Sequence, residues 1–287
     1  MKINKFLFFL SLIVGLTSCQ KEIDWGIDVG NGGGGSTSGD LLVKALEISP
    51  ATNDTNTLTF TWDANEKLLN YNSSGVVSGF PIEINQEIIR QPDERIQKII
   101  SISSALSAFS DSTVYTVFYE GSTSKLNYVL GVHYSSILGD TKDSAAFTYN
   151  AENRVASKES FTELLGSYEP NTKVMYQYDA SGNITEIQLF SSDGAGGYDL
   201  TSTTTYTFDG HKNAVTLGEE CYIVIGADNV CVNNPIKKVV DDMGGGFSFT
   251  GVFSQLQFNS FDKPIQSELS LTPKPPGYDL KNLYFYQ

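Results

Sequence analysis

The chain has little of what most catalytic sites are built from. Its 287 residues include two histidines, His133 and His211, and three cysteines, Cys19, Cys221 and Cys231. No H-E-x-x-H, G-x-S-x-G or P-loop pattern occurs, so the usual sequence marks of zinc peptidases, serine hydrolases and nucleotide-binding loops are missing. His133 lies alone on the alternating stretch LGVHYSS, where a structural role is the simpler reading. His211 lies in FDGHKN, which reads as a turn. Basic charge is scarce as well: 19 Lys and Arg stand against 33 Asp and Glu, a net of −14. That excess of acid argues against nucleic acid and against anionic lipid as partners. Long apolar runs are also few. FLFFLSLIVGL ends at Leu16 and is too short for a comfortable transmembrane helix, which needs ~20 residues.

What is present begins at the amino end. Lys2 and Lys5 precede the apolar run, and Leu16-Thr17-Ser18-Cys19 follows it. A basic start, a short apolar core and small residues make a secretory signal over residues 1–18. Its end resembles a bacterial lipobox, Leu-x-small-Cys. The resemblance implies cleavage before Cys19, a thioether lipid on its sulfur and acylation of its amine. Several acyl chains together give stable membrane attachment. QKEID follows, with Glu22 and Asp24 close to the expected lipid. It resembles the short acidic export signal of Bacteroidetes surface lipoproteins, with Lys21 interrupting it. Surface exposure on the outer membrane is the expectation, and a periplasm-facing anchor is its alternative.

Residues 26–40, GIDVGNGGGGSTSGD, have no hydrophobic period. Their Gly, Ser and Asp composition is that of a flexible coil, so residues 19–40 read as a tether. No strand precedes the glycines, no Lys-Ser/Thr sits among them and no helix follows, which removes a phosphate loop. Without residues 1–18 the basic count falls to 17 against 33 acids, a net of −16. Residues 41–287 show no second linker and read as one domain.

A repeat runs through that domain. An aromatic anchor, a turn and an apolar residue six on recur as Tyr178 in YDASGNI, Tyr149 in YNAENRV and Trp62 in WDANEKL, and more weakly as Phe208 in FDGHKNA. Tyr119 in YEGSTSKL and Phe258 in FNSFDKPI fit with one extra residue. Arg90 in RQPDERI and Val230 in VCVNNPI mark further turns without the aromatic. The anchors are spaced by 28, 29, 30, 29, 30, 22 and 28 residues. Around each turn the arms alternate, as in Val174, Tyr176 and Tyr178 against Met175 and Gln177. Period-two patterning in β-branched and aromatic residues means strand, and Asp, Ser, Gly and Asn between the arms are turn formers. The unit is therefore a β-hairpin. The expected fold is all-β: an antiparallel meander of about 14–17 strands, rolled like a barrel or into a strongly curled sheet, with LYFYQ as its last strand. A membrane-spanning barrel competes with it, and ERIQKIISISSALSAF, residues 94–109, has a helical alternative.

Tyr176-Gln177-Tyr178-Asp179-Ala180-Ser181-Gly182-Asn183-Ile184 resembles a YD repeat of the RHS type. With the lipobox and the acidic start, residues 55–287 resemble Bacteroidetes lipoproteins of unknown function, built as long meanders and porin-like in fold. The resemblance implies fold and location but no activity.

Site chemistry is sparse. DASGN has some of the look of a calcium loop, but Asp179, Ser181 and Asn183 offer too few oxygens, and Glu186 lies on a strand. No metal and no cofactor are expected. Some pair of carboxylates at glycosidase spacing is inevitable among 33 acids and points to nothing by itself. Cys221 and Cys231 are an even pair in an exported chain, flanking a GADN turn, and read as a structural disulfide. Tyr168, Tyr198 and Tyr278, each near Gly or Pro in a connection, are candidates to stack on sugar rings. The function expected is a lipid-anchored envelope protein without catalysis, binding a glycan or serving as a subunit of an envelope complex. A lipid-anchored polysaccharide hydrolase and a purely structural envelope protein are the alternatives.

Overall fold

The computed structural model describes residues 41–287, apart from 78, 104–111, 138, 216, 218–219, 221, 225–230 and 274–278. Sixteen strands form one closed antiparallel barrel: β1 (Leu42–Ile48), β2 (Thr55–Trp62), β3 (Leu68–Val77), β4 (Phe80–Arg90), β5 (Ile96–Ser103), β6 (Ser112–Tyr119), β7 (Leu126–Tyr134), β8 (Thr141–Tyr149), β9 (Val155–Leu164), β10 (Ser167–Tyr178), β11 (Ile184–Ser192), β12 (Tyr198–Lys212), β13 (Asn233–Asp242), β14 (Phe249–Phe258), β15 (Pro264–Thr272) and β16 (Leu280–Tyr286). Each strand pairs with its neighbours in sequence. β1 closes the ring on β16, with Ala45 opposite Tyr284 and Glu47 opposite Asn282. Closure removes the two edges that an open meander would expose. The expected meander is thus a barrel, and LYFYQ supplies β16 as expected. Residues 96–103 of the stretch with a helical alternative are strand β5, laddered to β4 along its length and to β6 over Lys98–Ser101, with Ile96 and Ile99 buried.

The expected turns lie along one rim. Asp63, Gln91, Asn150, Asp179 and Asn259 open five turns with the same backbone pattern. The first residue donates N–H to the carbonyl four on and accepts from the N–H three on, as Asp179 does with Asn183 and Gly182. The residue three on has positive φ: Glu66 60°, Glu94 69°, Asn153 60°, Gly182 100° and Asp262 67°. Only the fourth of these turns uses the glycine that suits such a conformation best. In the others a side-chain oxygen often holds the turn, as Asp63 Oδ1 accepts from Asn65 and Lys67 N–H at 2.8 and 2.9 Å. Val230 lies outside the described residues. Phe208 does not open a turn, because β12 runs on through His211 to Lys212. Its partner strand begins only at Asn233, after a long connection over residues 213–232. The one short spacing in the repeat, 22 residues, falls at this connection.

The two wall faces differ. Inward positions carry Phe60, Ile88, Ile99, Val117, Val129, Phe147 and Tyr176, and these form one buried cluster with Val215, Tyr222 and Val224 of the long connection. A second cluster joins Val240, Phe249, Phe253, Leu269 and Leu271. Register puts Glu87, Lys98, Lys142, Glu159, Lys173, Glu186, Lys237 and Glu268 on the outward face, mid-strand among Thr57, Thr59, Thr203 and Thr205. A lipid-facing wall needs an apolar band ~25 Å tall, and mid-strand charges there are costly. This wall is patterned for water.

Candidate functional site

The rim turns interlock. The anchor aromatic of one hairpin reaches back to the first apolar residue after the previous turn. Tyr149 donates its hydroxyl to Leu126 O at 3.1 Å, Tyr178 to Val155 O at 2.7 Å and Tyr286 to Pro264 O at 2.7 Å. Trp62 Nε1 donates to Leu42 O at 2.8 Å, and the Tyr119 hydroxyl accepts from Ile96 N–H at 2.9 Å. The last residue of the previous turn lays its cation on the ring: Arg95 over Tyr119 and Lys125 over Tyr149, each at 5.0 Å, and Arg154 over Tyr178 at 5.5 Å. Such contacts add roughly 0.5–1 kcal/mol each at exposed sites.

Arg90 breaks this rule and explains itself. It occupies an aromatic's place, and its Nη2 donates to Leu68 O at 2.9 Å, the carbonyl that the lattice assigns to a tyrosine. The guanidinium has donors to spare. It grips Glu220 of the long connection through two bonds, at 2.6 and 2.8 Å, and donates to Glu94 O at 2.7 Å. Burial opposes the Arg90 charge, and the Glu220 carboxylate more than restores it. Across the lumen, the Tyr222 hydroxyl meets that of Tyr178, and Lys158 Nζ donates to Tyr222 O at 3.2 Å. Glu220 and Tyr222 are thus clamped from opposite sides of the barrel, and with Val224 they fill the lumen at the turn rim.

Beside the Arg90–Glu220 clamp lies a cleft of about 410 Å³. Glu66, Asp93, Glu94, Arg95, Tyr119 and Glu220 are among the groups that line it. Arg95 Nε donates to Asp93 Oδ2 at 2.8 Å and holds that carboxyl below its ordinary value. Burial pushes the Tyr119 phenol up to about 12. Arg95 covers the Tyr119 ring at 5.0 Å, so the cleft offers charged and hydrogen-bonding groups, not a free aromatic face, to a polar ligand.

A second polar group faces the lumen. His133 Nε2 lies 2.9 Å from Asp143 Oδ2, and its Nδ1 lies 2.9 Å from Thr113 Oγ1. Gly131, opposite Asp143 in register, leaves room for the carboxylate: a Cβ there would fall 2.0 Å from Asp143 Oδ1. The line Thr113–His133–Asp143 has the residue types of a nucleophile triad. Its Thr113 is buried, and its three members sit on neighbouring strands of one wall. The arrangement reads as a satisfied histidine, as its place on LGVHYSS suggests.

The Asp179 carboxylate is engaged within its own turn: Oδ1 accepts from Asn183 N–H at 2.9 Å and Oδ2 from Asn183 Nδ2 at 2.8 Å. Burial acts against the charge, and these bonds hold the pKa below the ordinary value all the same. Among the described residues no group of three or more His, Cys, Asp or Glu is placed to hold a metal ion. Tyr168 is exposed at the start of β10, near the Lys142–Glu163 pair. Tyr198 starts β12 with its hydroxyl donated to Glu159 Oε1 at 2.6 Å and Lys173 Nζ 5.7 Å from the ring centre. Lys173 therefore occupies a face that a sugar would need, and Tyr168 is the more accessible of the two. Tyr278, Cys19 and Cys221 lie outside the described residues. Cys231 is buried, and its pairing with Cys221 stays an expectation.

No family model matches the chain, and no curated protein matches it. Solved structures do. A porin-like protein from Bacteroides uniformis aligns over 85% of this chain and 96% of its own, with 10% identity and a TM-score of 0.53. A porin-like protein from Bacteroides vulgatus aligns over 86% and 99%, with 11% identity and a TM-score of 0.53. The likeness is one of fold. A match to the TcdB2–TccC3 toxin complex covers 12% of that chain at a TM-score of 0.22 and carries no argument.

Proposed function

We propose that the chain is an envelope lipoprotein, held to the outer membrane through Cys19, whose barrel is a water-facing body that binds a polar polymer of glycan type. The observation that carries this is the pairing of a charged, Thr-rich outer wall with a lumen filled by Glu220, Tyr222 and Val224. A membrane-spanning channel needs the opposite on both counts. The porin-like Bacteroides structures support an envelope-associated barrel. The cleft at the turn rim supplies the ligand site, with Glu66, Glu94 and Arg95 as hydrogen-bonding groups and no covalent step. Surface exposure follows the acidic QKEID start, and an envelope protein partner is the second occupant of the same surface.

Two measurements test it. Metabolic labelling with a fatty acid is expected to mark the wild type and to vanish in Cys19→Ser; persistent label overturns the anchor. Residues 41–287 are expected to give saturable binding on a glycan array, weakened about tenfold by Glu94→Gln, which keeps the acceptor for Asn65 but removes a charge. An unchanged affinity moves the site away from the cleft, and loss in Tyr168→Ala instead moves it to the outer strip. New reducing ends from pooled polysaccharides, abolished by a single carboxylate change, establish the hydrolase alternative.

A further inference from the structure

The rim opposite the turns carries a crown of exposed apolar side chains. Ile102 ends β5, Ile137 lies between β7 and β8, Leu164 and Leu165 turn β9 into β10, and Met243 and Phe247 flank the β13–β14 connection. All six are exposed, Ile137 at 73% and Leu165 at 109%. Single exposed apolar residues, such as Val232 and Phe261 at the turn rim, are ordinary; a set concentrated at one end of a molecule is not.

Leu165 is doubly out of place. Leu164 pairs with Ser167, so Leu165-Gly166 is a two-residue hairpin loop with φ of 53° and 89°. Such a loop favours Asn-Gly, because a branched side chain is strained at positive φ. A leucine here gives up both backbone ease and hydration. Nothing inside the barrel gains from it, so the gain lies outside.

We infer that this crown is a docking rim for a zwitterionic lipid surface, entered by the apolar tips of separate hairpins. Three features select that occupant. The tips stand on four different connections around a ring, and a fluid bilayer accepts scattered insertions where a rigid partner needs a continuous face. The opposite rim's connections include no Lys or Arg among their described residues and one, Lys274, in the sequence beyond them, whereas five of the turns on the first rim end on Lys67, Arg95, Lys125, Arg154 and Lys263. Asp54, Asp140 and Asp193 accompany the tips, so anionic lipid is repelled and a second acidic crown is repelled too. Reach is also sufficient. The described chain starts at the turn rim, where Leu42 O meets Trp62. The 22 residues from Cys19 to Asp40 span at most ~75 Å, against a barrel height of about 25 Å. A chain held at Cys19 therefore lets the far rim reach the same membrane.

The inference goes beyond the anchored-barrel reading, and only its reach argument rests on that reading; the crown itself lies in residues 41–287, which hold every strand of the closed barrel. Its test uses that segment, without Cys19, floated with vesicles of phosphatidylcholine and phosphatidylethanolamine. Wild type is expected to float with the vesicles, and Leu165→Asn/Ile137→Ser to do so about tenfold less. Leu165→Asn alone is expected to melt at the same temperature or higher, since asparagine suits the loop; this separates lost docking from lost folding. No flotation by wild type, or equal flotation by the double variant, overturns the inference. A vesicle-free dimer that the double variant abolishes also overturns it and assigns the crown to a second copy.

Discussion

Glu47 sits inside the wall with its side chain wholly buried. Its Oε2 accepts from Asn56 Nδ2 at 2.7 Å, and Asn56 in turn accepts from Ser73. Asn282, opposite it on β16 and 0% exposed, has no hydrogen-bond partner among the described residues for either amide atom, and Glu47 Oε1 has none among them either. Burial pushes the Glu47 carboxyl up to about 7, with Asn56 pulling the other way. The folded state therefore holds a proton that the unfolded chain, titrating near 4.5, releases. Stability falls as pH rises from about 4.5 to about 7, by roughly 3 kcal/mol in all. Glu47→Gln is expected to flatten that slope and to gain roughly 2–3 kcal/mol at pH 8. Urea midpoints of residues 41–287 at pH 5 and pH 8 check it; a parallel loss of stability in both proteins at pH 8 refutes it. The sequence gives no hint of this group. LVKALEI has apolar residues at both odd and even positions, so its alternation does not say which face is inside.

Among the elements, the hairpins were legible because each joins an aromatic, a turn and an apolar residue at fixed spacing. Arg90 was legible only as a missing aromatic. Its meaning depends on Glu220, which lies 130 residues away and belongs to no repeat. GADN between Cys221 and Cys231 reads as a turn and FDGHKN as another, and nothing in either pattern encodes the burial of Tyr222 and Val224 in the barrel. Arg90→Ala is expected to cost about 3–5 kcal/mol, since it strands the Glu220 carboxylate and frees Leu68 O. Arg90→Tyr with Glu220→Gln restores the lattice tyrosine and removes the stranded charge, and should recover more than half of that loss. Thermal melts of the two variants decide it. Equal melting temperatures for the two would mean that Arg90 serves the Glu220 clamp alone.

At the scale of the molecule, the closed ring makes β16 disproportionately important. Ending the chain at Thr272 is expected to leave β1 and β15 with unpaired edges and to make residues 41–272 aggregate where residues 41–287 do not. Size-exclusion chromatography shows the outcome, and a monomeric truncated chain would mean that the sheet tolerates opening. Closure was foreseen only as one of two forms, barrel or curled sheet, because pairing between the first and last strands leaves no trace in local pattern. The rim tyrosines add a consequence in time. Tyr149 and Tyr178 each clasp a carbonyl 23 residues behind them, so these hairpins fasten to ones already made. A chain delivered amino end first is able to build this wall in order, stitch by stitch, through short loops that close cheaply. One step is different in kind: joining β1 to β16 spans nearly the full length of the domain and waits for the last residues to arrive. Until then the growing wall has a free strand at each side, and the final seven-residue strand is the seam that ends its exposure.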